Sequence, residues 1–260
     1  MEEGVPVRAI TRGFAVLQAV NRSGSISLMQ ISRQTGIPYP TVCRIVQTLL
    51  FEGFIEKEPT RKRYRPTVLV QSLSSGFRDE SRLVSVARQH IVDLTKKTAW
   101  PISLATRVGN MMVVRDSTHT LTSLTLSNYA PGFTLPIAEC STGKVYLAYC
   151  SQEERASIRE GFKMLEAGPD KLALLLTENS SLIDQIRSQG YATQSRNTYT
   201  ANPGKTSSIA VPIFRGDEIV GAMALVFFAS AIKMPDAESR FVTDLKSTAE
   251  AISAELGATH

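Results

Sequence analysis

The chain is poor in the residues that most often carry chemistry: 260 residues hold three cysteines, three histidines and one tryptophan. Cys43, Cys140 and Cys150 are an odd number, and their spacing matches neither a zinc ligand set nor a CxxC pair. No disulfide framework and no metal site is expected, and all three are read as small buried residues. His90, His119 and His260 are scattered, and neither HExxH nor GxSxG occurs, which removes the common zinc- and serine-hydrolase arrangements. Gly204-Lys205-Thr206 and Gly143-Lys144 both fall short of a phosphate-binding loop. The glycine required five positions earlier is Tyr199 in one case and Ala138 in the other. No catalytic residue and no cofactor is assigned. No stretch reaches the roughly 20 apolar residues of a membrane span. The N-terminus opens on two glutamates rather than a basic and then apolar signal, so a cytoplasmic protein is the expectation.

What is present suits a globular protein of two domains: 43% hydrophobic residues, 20% charged, and a length beyond the usual single domain. The net charge of +5 is unevenly placed. Residues 1–66 carry ten Lys/Arg against five acids, whereas the rest of the chain balances at 19 against 19. A basic module joined to a neutral body points to a nucleic-acid partner.

The basic module reads as a winged helix-turn-helix. Ile10, Phe14, Leu17 and Val20 recur at helical spacing and predict a first amphipathic helix ending near Gly24. Ser27-Leu28-Met29-Gln30 is a capping box for a second helix, about Leu28 to Thr35, which stops at Gly36. Pro40 suits the first position of a third helix, about Pro40 to Glu52. Val42, Ile45, Val46 and Leu49 would be its buried stripe, leaving Thr41, Arg44, Gln47 and Thr48 outward. A polar, cationic third helix after a short turn is the form that enters the DNA major groove, where Arg pairs with guanine and Gln with adenine. Arg12, Ser27 and Tyr39 are placed on the same DNA-facing surface. Two extended runs, FIEKE and RKRYRP, follow as a hairpin. Alternation turns Tyr64 inward and leaves Arg61, Lys62, Arg63 and Arg65 to grip phosphate. Taken singly, the helix could be an ordinary surface helix and the wing a solvated charge run; their order argues otherwise.

The segments R-x-x-x-V-L-Q-A-V, GIPYPTVCRIVQTLLFEGFIE and RYR, followed by STGKVYLAY and SSIAVPIF…GAMALVF, resemble the IclR family of bacterial transcriptional regulators over the full length. SGFRDE, TAWP, MVVRDSTH, YLAYCSQEER and SSIAVPI look closest to its branch that regulates hydroxyphenylpropionate and related aromatic-acid catabolism. The chain departs from the family where Tyr39-Pro40 replaces a basic residue followed by Ser or Thr. Pro66 also stands after the wing, where it would start the linker helix with TVLVQSLSSGF as its body. The resulting organisation is a winged helix-turn-helix at 1–66, a linker helix at 67–81 and an effector-binding domain at 82–260.

In that last region a helix from Leu83 to Lys97 precedes ISLATRV and MMVVRD, which meet at Gly109-Asn110 as a hairpin. Further strands are expected at LTSLTL, SIAVPIF and IVGAMALVFF, and helices at Gly143–Tyr149, Gln152–Glu160, Leu182–Ser188 and Asp236–Leu256. Antiparallel strands with outer helices indicate an α+β fold, and the resemblance implies a GAF-like sensor. LPIAECSTGK runs into a helix whose free N–H groups suit a carboxylate, with simple helix capping as the alternative for Ser141 and Thr142. The resemblance implies a pocket of Ser141, Thr142, Gln194, Ser208, Ala224 and Val226, whose apolar wall suits an aromatic carboxylic acid rather than a small oxo acid. Arg115 and His119 are read as a surface pair at a strand end, with contact to an acidic ligand as the alternative, and His90 as a surface residue. The expected partners are a palindromic double-stranded DNA operator, a small carboxylic-acid effector, and a second copy in a homodimer or a tetramer built from it. The alternative is a sensor whose winged helix binds protein; Arg44 together with a four-cation wing argues against it.

Overall fold

In a computed structural model, residues 7–76, 82–125, 129–163, 180–198 and 203–258 are described. The chain separates into two units, Met1–Glu80 and Ser81–His260.

The first unit is built by three short helices whose apolar residues meet: α1 (Arg8–Ser23), α2 (Leu28–Thr35) and α3 (Tyr39–Phe51). Val16, Val20, Ile26, Ile31, Val42, Val46 and Ile55 form its core, each at most 2% exposed. Burying such a side chain contributes roughly 1.5–3 kcal/mol, enough for a small core to hold the trihelical arrangement. The capping box at α2 is complete: Ser27 Oγ accepts from the Gln30 N–H and Gln30 Oε1 accepts from the Ser27 N–H. Gly36 then turns the chain in the left-handed conformation (φ 67°). Strands β1 (Ile55–Lys57) and β2 (Tyr64–Pro66) pair antiparallel, and Tyr64 also bridges back to Ile26.

Four expectations change here. α3 starts at Tyr39, with Pro38 as its cap residue and Pro40 at its second position. Ile10 and Phe14 share the expected face of α1 but are 57% and 58% exposed, because the core is confined to the helix's second half. Periodicity identifies which residues share a face, not how far along the helix a partner extends. The return run is a strand only from Tyr64, since Arg61 and Lys62 occupy the turn. Pro66 ends β2 rather than starting a helix. Thr67 takes the cap position and introduces a helix of 3₁₀ form, Val68–Ser74. Residues 77–81 of the proposed linker lie outside the described residues.

The second unit is α+β. Its sheet is antiparallel throughout, ordered β5-β4-β3-β8-β7-β6. The strands are β3 (Ile102–Val108), β4 (Met111–Ser117), β5 (Thr134–Pro136), β6 (Ala192–Gln194), β7 (Thr206–Arg215) and β8 (Glu218–Phe228). Alternation divides the sheet's two faces by size. Ile102, Leu104, Ile209, Val211, Ile213, Met223, Leu225 and Phe227 pack on α4 (Leu83–Thr98) and α8 (Met234–Gly257). The opposite face presents Ala105, Ala210, Ala222 and Ala224 to α5 (Ser141–Tyr149). Small side chains there let α5 lie close to the sheet. Helices α6 (Gln152–Lys163) and α7 (Ser180–Gln189) follow α5. The run LTSLTL is not a strand over its described residues: Leu121 ends a 3₁₀ turn, residues 122–125 are irregular, and Leu126 lies outside them. The short strands β5 and β6 had no alternation long enough to register.

Candidate functional sites

On the first unit, Arg12, Thr41, Arg44, Gln47 and Thr48 line one open groove between α1 and α3. Arg44 and Gln47 are exposed, whereas Thr48 Oγ1 donates to the Arg44 carbonyl at 3.2 Å, one turn back. Ser27 is occupied by its capping box. Tyr39 is 45% exposed, and a hydrogen bond with Cys43 raises its hydroxyl above the ordinary tyrosine range. The wing separates into distinct parts. Arg61 and Lys62 are exposed at the turn. Arg65 Nε lies 2.6 Å from Glu56 Oε1 across the hairpin, with both side chains about half exposed. Arg63 does not face outward as alternation suggested. Its Nε donates to Ser25 Oγ at 2.9 Å and its NH2 to the Ser25 carbonyl at 2.7 Å.

On the second unit, five of the six expected pocket residues, Ser141, Thr142, Ser208, Ala224 and Val226, line a single cavity of about 40 Å³. Gln194 does not: its Oε1 accepts from Lys144 Nζ at 2.7 Å. Burial of Lys144 lowers its amine below the ordinary lysine value. The rest of the lining comes from β3, β4, β5, β7 and the residues before β5, α5 and β7, notably Ser103, Ala105, Val114, Tyr129, Leu135 and Asn197. Among the described lining residues none is cationic or anionic. These six residues were missed because they lie on strands and loops far apart in sequence. Ser103, a polar residue within an apolar strand, was the one local signal.

The polar end of the cavity is the start of α5. Cys140, not Ser141, is the cap residue: its Sγ accepts from the Gly143 N–H at 3.4 Å, and burial raises its thiol above the ordinary cysteine value. Ser141 is therefore not a capping residue. Its hydroxyl meets Ser208 Oγ at 2.7 Å, joining α5 to β7. The Ser141 and Thr142 amides make no hydrogen bond among the described residues. At the other end of α5, Arg155 donates to the carbonyls of Leu147 (2.9 Å) and Cys150 (3.2 Å), and Arg187 to that of Ala148 (2.6 Å). The cations thus offset the negative C-terminal end of the α5 dipole, while its positive N-terminal end, with the open amides, lies at the cavity.

His119 is 5% exposed, not a surface residue. Its Nδ1 is 3.0 Å from Ser117 Oγ, and burial lowers its imidazole below the ordinary value. Arg115 reaches Thr106 Oγ1 at 3.3 Å. His90 is partly exposed against Glu255, at 2.7 Å. Among the described residues no group of His, Cys, Asp and Glu could hold a metal, and no helix is long and apolar enough to cross a membrane.

Two family models match the chain: the IclR helix-turn-helix domain over residues 9–59, and the bacterial transcriptional regulator IclR C-terminal domain over residues 78–254. Among characterised proteins, the chain is 23% identical over 251 residues to the HTH-type transcriptional regulator KdgR of Escherichia coli (strain K12), covering 96% of this chain and 93% of that protein. It is 25% identical over 241 residues to the Pca regulon regulatory protein of Pseudomonas putida, covering 90% and 79%. Among solved structures, an IclR family transcriptional regulator from Brucella abortus superposes with a TM-score of 0.63 at 22% identity, covering 96% of this chain and 93% of that one. An IclR homolog from Microbacterium hydrocarbonoxydans complexed with 4-hydroxybenzoate gives 0.61 at 20% identity, covering 96% and 100%.

Proposed function

The chain belongs to the IclR family of bacterial transcriptional regulators, a non-enzymatic family that joins a DNA-binding helix-turn-helix to an effector-binding domain, and from that membership we propose that its effector is a carboxylic acid with an apolar, aromatic body. One observation carries this: open helix amides at one end of a cavity whose remaining wall is largely apolar, with Ala105, Val114, Leu135, Ala224 and Val226. The amides would take the carboxylate, and the wall would take the ring. The 4-hydroxybenzoate complex of the Microbacterium homolog agrees in chemistry with this reading. Identities of 23% and 25% to two differently named regulators do not single out the aromatic-acid branch, which stays part of the proposal.

A second reading, a short oxo acid, is favoured by the cavity volume. About 40 Å³ is small beside the ~150 Å³ that admits a benzene-sized ring, so an aromatic acid requires the walls to part. Thermal-shift measurements against benzoates, phenylpropionates and short oxo acids decide between them. A response to oxo acids alone would overturn the aromatic reading.

On DNA, Arg44 and Gln47 are proposed to read base edges, while Arg61 and Lys62 take phosphate. The exposed apolar residues Ile10 and Phe14 of α1, with Val7 just before it, support a homodimer. Two-fold symmetry then places half-sites about one helical turn (~34 Å) or a multiple of it apart. The effector acts by binding DNA-competent and incompetent arrangements with different affinity, through the segment around Val68–Ser74.

A further inference from the structure

We infer that Arg63 is a positioning residue that locks the wing to the turn between α1 and α2, and that it contributes no phosphate contact. The inference rests on the DNA-binding reading of this unit and concerns how the wing is aimed.

Arg63 sits at the point where the hairpin turn becomes β2, and its fork closes on a single residue. Nε donates to Ser25 Oγ at 2.9 Å and NH2 donates to the Ser25 carbonyl at 2.7 Å. The Ser25 hydroxyl in turn donates to Glu58 Oε1, and the Glu58 N–H donates to the Arg63 carbonyl at 2.9 Å. Both sides of the hairpin are thus tied to one serine. Immediately beside this clamp, Tyr64 and Ile26 exchange both backbone hydrogen bonds, at 2.8 and 3.0 Å. The segment before α2 therefore acts as a third strand, and Arg63 fastens its outer end. All three clamp side chains are half-buried, in contrast to Arg61 and Lys62. Moving the guanidinium to a phosphate would strip the Ser25 carbonyl and hydroxyl of their donors together, and charge-assisted bonds in a fixed fork are the costly ones to break. Arg65 differs: its exposed pair with Glu56 is of the kind that contributes little, so it can turn to DNA.

The consequence is a division of labour among four adjacent cations that sequence treats alike. Arg61 and Lys62 supply charge at the tip, and Arg63 sets the angle at which that tip is presented.

Fluorescence anisotropy with a mixed-sequence DNA duplex, titrated at several salt concentrations, separates the two roles. Neutralising a phosphate contact lowers the slope of log K against log salt by about 0.9 per DNA-bound protomer. Arg61→Ala and Lys62→Ala should each do so. Arg63→Ala should leave the slope at the wild-type value while weakening binding about tenfold, equivalent to ~1.4 kcal/mol. Arg63→Lys, which keeps the charge and loses the fork, should behave like alanine. Ser25→Ala should weaken binding in the same way, and adding it to Arg63→Ala should cost nothing further. Melting curves establish that each variant is folded, and Ser25→Ala serves if Arg63→Ala is not. A slope reduced by Arg63→Ala and restored by Arg63→Lys, or affinity unchanged in both arginine variants, overturns the positioning role. Wild-type protein without salt-dependent binding would instead overturn the underlying DNA-binding reading.

Discussion

Replacing Gly143 with alanine tests whether the close seating of α5 creates the ligand site. A Cβ built at this position would collide with the Ile137 carbonyl oxygen, and would lie 2.6 Å from the Ile137 carbonyl carbon and 2.7 Å from its Cα. Ordinary contact begins near 3.4 Å, so the carbonyl carbon alone demands a separation of about 0.8 Å and the nearer carbonyl oxygen demands more. Both partners are backbone, and neither can rotate away. Ile137 is fully buried, which blocks retreat on its side. The N-terminus of α5 must therefore lift from the strand end, taking the Ser141 and Thr142 amides with it. Overpacking of this kind costs typically 1–3 kcal/mol, with the upper end expected against rigid backbone. For a domain of this size ~3 kcal/mol corresponds to a melting temperature lower by roughly 6–12 °C. Differential scanning calorimetry should show this for the sensor transition, and isothermal titration should show loss of effector binding. Binding to a mixed-sequence duplex should be retained, because Gly143 is remote in sequence from the DNA-binding unit and belongs to the other one. A variant that melts with the wild type and binds effector unchanged would refute the close-approach reasoning.

Arg44→Ala should cost about 1–3 kcal/mol on the cognate operator and relax base preference there, measurable by competition against single-base operator variants. Ala224→Leu adds three carbons to a space of about 40 Å³ and should abolish the effector-induced thermal shift, while the unliganded protein still melts cooperatively. His119 carries a lowered folded-state pKa through burial, so the folded state holds its imidazole neutral. Its contribution is intact above the unfolded value near 6.5 and is lost as pH falls below that toward the folded value. Melting temperature should therefore drop on acidification below about pH 6.5, and His119→Gln should flatten that drop; equal slopes in both proteins would contradict it.

Much of the first unit is legible in the chain because its signals are local. A capping box, a left-handed glycine and an apolar stripe at helical spacing each act within a few residues, and they place α2 and α3 to within a residue. The family is legible too, since ordered motifs span the whole length. Local signals failed where a partner had to be known. The helical period of Ile10 and Phe14 is legible, yet among the described residues both stay more than half exposed. Alternation put Arg63 on the outer face, but Ser25, 38 residues earlier, draws it back. A proline just past the wing suits a helix start, but Pro66 finishes the strand, paired with Ile55.

The cavity divides in the same way. An amino-acid sequence is sufficient to show that a helix begins near Ser141 and that its first amides lack partners, because that follows from helix geometry alone. It also determines, through alternation, that Ala222 and Ala224 share one face of their strand. Only the tertiary structure decides that Cys140 rather than Ser141 caps the helix and that Ser141 reaches Ser208 across 67 residues of chain. It likewise turns Gln194 to Lys144 and away from the cavity. Side chains from five strands and loops converge there because antiparallel pairing brings distant segments together, and pairing register is a property of the whole sheet, not of any one strand.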